Sequence, residues 1–110
     1  MRTPIDTVWR RAHTVEVRDL GERSVAVVRD AGELAQLAGL LEVDFHADAF
    51  VCMCWGNVRF LVKDAAGQTV ADLTLHAESG LDWDEWGGQF PLLRGKELAH
   101  WLTERGLCFG

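Results

Sequence analysis

Between Phe50 and Trp86 the chain carries three turn signals in quick succession, and an antiparallel strand meander is the fold that uses all three. The turns are Gly56-Asn57, Ala65-Ala66-Gly67-Gln68 and Glu78-Ser79-Gly80, each flanked by runs rich in Val, Phe, Leu and Thr. A two-residue loop at Gly56-Asn57 pairs Cys54 with Arg59, Met53 with Phe60 and Cys52 with Leu61. A four-residue loop over Ala65 to Gln68 pairs Asp64 with Thr69, Val62 with Ala71, Phe60 with Leu73 and Val58 with Leu75. A three-residue loop ending in Gly80 pairs His76 with Asp82 and Leu75 with Trp83.

These registers, chosen from turn chemistry alone, agree on the faces. Val51, Met53, Trp55, Val58, Phe60, Val62, Ala71, Leu73, Leu75, Leu81 and Trp83 share one face. Cys52, Cys54, Arg59, Leu61, Lys63, Val70, Asp72, Thr74, His76, Asp82 and Asp84 share the other. A one-residue slip in any strand would throw its apolar set to the wrong side, so the agreement supports the alternation.

Upstream, Val15 to Leu20 and Ser24 to Arg29 read as a hairpin around Gly21-Glu22, and Trp9 anchors a short lead-in over Pro4 to Ala12. Asp30 with Glu33 resembles a capping box, and Leu34, Leu37, Ala38 and Leu41 follow at helical spacing, which predicts a helix over Ala31 to Glu42. Asp44 to Ala49 shows no periodicity and reads as a loop. Gly87, Gly88 and Pro91 predict an irregular segment after Trp86. A second helix is expected over Lys96 to Arg105, with Leu98, Trp101 and Leu102 as its apolar stripe and Gly106 as its C-terminal cap. The architecture expected is α+β: one domain over residues 1–110, with a largely antiparallel sheet of about six strands. The last four strands form the meander over 50–84, and the two helices lie on one face.

At 110 residues the chain can bury roughly two thirds of its unfolded surface, which suffices for a core without staples. A net charge of −6 disfavours nucleic acid and anionic membrane as partners and suits a basic partner or mere solubility, the latter being the plainer reading. No signal-peptide core or run of 18 apolar residues is present, so a cytosolic protein is expected. Its three cysteines are odd in number and Cys52 and Cys54 sit two apart on one strand, so reduced thiols are expected rather than a disulfide framework.

Two constellations carry chemistry. Cys52, Cys54 and His76 are thiolate and imidazole donors suited to zinc, with Cys108 or His46 as a fourth ligand. Against this, the expected pairing separates the cysteines from His76 by two inter-strand steps, ~10 Å. His76 opposite Asp82, with Asp72, Thr74 and Asp84 nearby, is an imidazole beside carboxylates, and with Cys54 it would make a Cys-His-Asp hydrolase. The same separation argues against that chemistry, and a solvated cross-strand charge pair is the plainer reading. Asp82, Asp84, Glu85 and Trp86 join acid and aromatic groups at a strand end, the usual material of a protein-binding loop, and of its tryptophans Trp86 is the candidate for exposure, with packing against the second helix as an equal alternative.

The string C-x-C-x-G at Cys52, Cys54 and Gly56 continues through Asp64 and Gly67, Leu73, Leu75 and His76, and Trp83 and Trp86. It ends at Trp101, Leu102 and Gly106. In this it resembles a family of short, uncharacterised actinobacterial proteins over about the last 60 residues. The resemblance brings no activity with it. It draws interest to Cys52, Cys54 and His76, and by fold-level analogy to immunity or accessory proteins of toxin systems.

The reading that follows is a non-enzymatic cytosolic protein-interaction module, of the immunity type, that binds a basic toxin or nuclease without a cofactor. Asp72, His76, Asp82, Asp84, Glu85 and Trp86 are its expected contact residues. The alternatives are a small zinc protein using Cys52, Cys54 and His76, and a thiol-dependent enzyme.

Overall fold

The strands form where apolar and polar residues alternate, and the alternation fixes which side is buried. In the computed structural model, residues 6–19, 21, 23–44, 58–76, 80–86 and 88–106 are described. Strand β1 (Thr14–Arg18) buries Val15 and Val17 and turns Thr14, Glu16 and Arg18 away from them. Its hairpin partner is β2 (Ser24–Val28), as expected, with a register irregularity between Val17 and Arg18. Strands β3 (Val58–Lys63) and β4 (Thr69–His76) pair Val58 with Leu75, Phe60 with Leu73 and Val62 with Ala71, again as expected. Between them Asp64 accepts from the Ala66 and Gln68 backbone N–H groups at 2.9 and 3.0 Å, and Gly67 takes φ 81°, the left-handed conformation glycine adopts without penalty.

The six strands make one antiparallel sheet in the order β2-β1-β3-β4-β5-β6, with β5 at Gly80–Trp83 and β6 at Gly88–Pro91. The C-terminal meander is therefore β3 to β6. Four details depart from the sequence reading. First, β3 lies between β1 and β4, so the partners of Arg59, Phe60 and Leu61 are Arg18, Val17 and Glu16 instead of residues from 52–54. Val15 and Val17 are a strand in need of an apolar neighbour, and β3 offers a matching face. Residues 52–54 themselves lie outside the described residues.

Second, β4 and β5 pair two residues away from the expected register: Leu75 faces Leu81, Thr74 faces Asp82 and His76 faces Gly80. A two-residue slip leaves every side chain on its face, which is why alternation cannot detect it. Third, a register shift between Val62 and Lys63 brings Lys63, not Asp64, opposite Thr69. Fourth, 88–91 is a strand. Proline is tolerated there because β6 pairs only with β5, so no ladder partner needs the missing N–H. The Pro91 carbonyl accepts from the Asp44 N–H at 2.9 Å and Val43 bridges Leu92, which ties the end of α2 to this edge.

Three helices cover the apolar face. Helix α1 (Asp6–Arg11) buries Val8, while Trp9, expected as the anchor, packs only partly against the core. Helix α2 (Ala31–Leu40) begins at Asp30, whose side chain accepts from the Glu33 N–H at 3.0 Å, the N-cap its sequence announces. Helix α3 (Gly95–Glu104) buries Leu98, Trp101 and Leu102, and Gly106 follows its end at φ 93°. All three contribute to one cluster with Phe60, Leu73, Leu75, Leu81 and Phe90.

Two arginines fix the antiparallel pair α2–α3 at opposite ends. Arg94, at the start of α3, donates to the Gly39 carbonyl at 3.0 Å and to Glu42 at 2.8 Å at the end of α2. Arg105, past the end of α3, lies over the Trp101 ring at 3.7 Å and reaches Glu33 in the first turn of α2 at 3.4 Å. Among the described residues no helix is long and apolar enough to cross a membrane.

Two outcomes check this fold. Phe60 is fully buried at the centre of the sheet, so Phe60→Ala should cost about 3–5 kcal/mol in urea unfolding, whereas Val27→Ala, at a side chain 46% exposed, should stay within about 0.5 kcal/mol. Similar losses for the two would contradict the core assigned here. In NMR spectra, cross-strand contacts should link Thr74 to Asp82 and Leu75 to Leu81; backbone contacts between His76 and Asp82 as direct partners would restore the other register.

Candidate functional site on the outer sheet face

The face turned away from the helices carries the chemistry. Direct pairing sets out its rows: Arg18 beside Arg59, Arg59 beside Thr74, and Thr74 beside Asp82; in the next row Glu16, Leu61 and Asp72 run side by side. Two arginines directly opposite each other repel, and each is answered by its own carboxylate. Arg18 Nε donates to Glu16 Oε1 at 2.6 Å along β1. Arg59 grips Asp72 with two nitrogens, Nε to Oδ1 at 3.3 Å and Nη2 to Oδ2. Asp72, expected as a contact residue, is thus committed to an ion pair within the protein.

His76 and Asp82 share this face but meet on the diagonal, with Nε2 3.7 Å from Oδ2. That distance is beyond a hydrogen bond. Both ring nitrogens of His76 are buried and, among the described residues, find no hydrogen-bond partner; the side chain is 12% exposed, against 37% for Asp82. Hence the imidazole is not oriented by its carboxylate in the way a general base is. Leu61 is also buried on this face, outside the main apolar cluster, so the face is closed around Leu61 and His76 and open around the carboxylates.

The acidic-aromatic segment divides in two. A short 3₁₀ turn over Asp84–Trp86 follows β5. Trp86, the candidate for exposure, is buried: its ring meets Trp83 and Phe90 edge-on, each at 5.5 Å between centroids. Glu85 is exposed in the same turn, held outward by the anchored tryptophan beside it. The side chain of Asp84 lies outside the described residues, as do Cys52, Cys54, His46 and Cys108, so the proposed zinc ligand set is represented there by His76 alone. Among the described residues no three His, Cys, Asp or Glu side chains are grouped to hold a metal.

Asp72, His76 and Asp82 are therefore brought to one face as the alternation implied, and Trp86 is not. The Glu16–Arg18 pair lies along β1 and the Arg59–Asp72 pair lies on the diagonal of the β3–β4 register, so both were within reach of the alternation, which sorts faces but does not single out ion pairs. Their one local signal is that Glu16, Arg18 and Arg59 all occupy polar positions of alternating strands.

The contrast between a forked ion pair and an unbonded neighbour is measurable. A double-mutant cycle over Arg59→Ala and Asp72→Ala should give a coupling of ~0.5–1 kcal/mol that weakens with salt, both side chains being about a third exposed or more. The corresponding cycle over His76→Ala and Asp82→Ala should be near zero, and a larger value there than at Arg59 would mean that the imidazole is engaged after all. The chain matches no family model, no curated protein and no solved structure.

Proposed function

We propose that the protein is a non-enzymatic, cytosolic interaction module that offers the carboxylates of its outer sheet face to a basic protein, in the manner of an immunity protein against a basic toxin or nuclease. The observation that carries this reading is Asp82. Its side chain is 37% exposed, and the imidazole of His76 stands 3.7 Å from its carboxylate, beyond a hydrogen bond. Among the described residues no arginine or lysine pairs with it as Arg59 pairs with Asp72, so its charge stays available to a partner. A net charge of −6 adds long-range attraction for a basic surface.

Rigidity supports the same reading. Glu85 stands on a turn whose neighbour Trp86 is wedged between Trp83 and Phe90, and Asp82 stands inside a paired strand. Groups held this way lose little conformational freedom on binding, so more of each contact remains as affinity.

The test begins with the gene's neighbours. A basic, toxin-like protein encoded beside this chain should form a 1:1 complex with it by titration calorimetry, with association that slows as salt rises. Asp82→Lys should slow that association on the order of tenfold while leaving the unfolding midpoint near that of the parent. Absence of any complex with such a neighbour, or binding indifferent to both salt and Asp82→Lys, would remove the basis for the proposal.

A further inference from the structure

We draw no further inference here: the strongest candidate, the cleft of about 540 Å³ between α2 and α3 walled by Gln36, Leu40, Lys96, Glu97, His100 and Trp101, carries nothing because its charges are of both signs, the unpartnered indole N–H of Trp101 is closed off from it, and nothing in the structure shows what would fill it.

Discussion

One row of side chains crosses the whole sheet, from Ala26 through Val17, Phe60, Leu73 and Trp83 to Gly88. Its largest groups, Phe60, Leu73 and Trp83, stand together, with Phe60 and Leu73 fully buried at its middle and a glycine at the far edge. The three helices settle where this row and its neighbours leave apolar surface uncovered, and the burial of Leu37, Leu98 and Leu102 completes the enclosure. Burying a large aliphatic or aromatic side chain contributes about 1.5–3 kcal/mol, so the row supplies a large share of what holds sheet and helices together.

How much of this was legible follows from the range of each signal. Alternation is local, and it gathered the apolar residues of β3, β4 and β5 onto one face, with Val70, expected on the other, packing against the core beside the register shift at Val62 and Lys63; the N-cap at Asp30 and the stripe of Leu98, Trp101 and Leu102 are local too. Pairing partners are not local. The glycine-asparagine turn gave β3 a neighbour close in sequence, whereas Val15 and Val17 of β1 meet Val62 and Phe60 across most of the first half of the chain. Register was legible only to within a period of two, because β4 and β5 can slide by two residues without exposing an apolar group. Trp86 was misplaced because a charged neighbourhood in sequence says nothing about the two rings, Trp83 and Phe90, that fold around it.

The candidate site shows the same limit in electrostatic terms. Sequence placed Asp72 and Asp82 together as equals, and the fold makes them unequal. Arg59 on β3 reaches Asp72 on β4 with two nitrogens, and this fork also offsets the repulsion from Arg18, its direct partner on β1. One carboxylate is thereby held by an arginine of the protein and the other is not, although their side chains are similarly exposed. A charge count over the segment could not have told them apart, since the difference arises from where Arg59 reaches across the β3–β4 pair.

The position of β1 between β2 and β3 also has a consequence for how the sheet is assembled. The β1–β2 hairpin and the run from β3 to β6 each join strands that are near in sequence, and each can close with short loops. Only the seam between β1 and β3 joins the two groups, and its contacts span roughly forty residues, so it carries the largest loop-closure entropy of the sheet. Until that seam zips, the hairpin and the meander each present an unpaired strand edge, the feature by which one chain can pair with another instead of with itself.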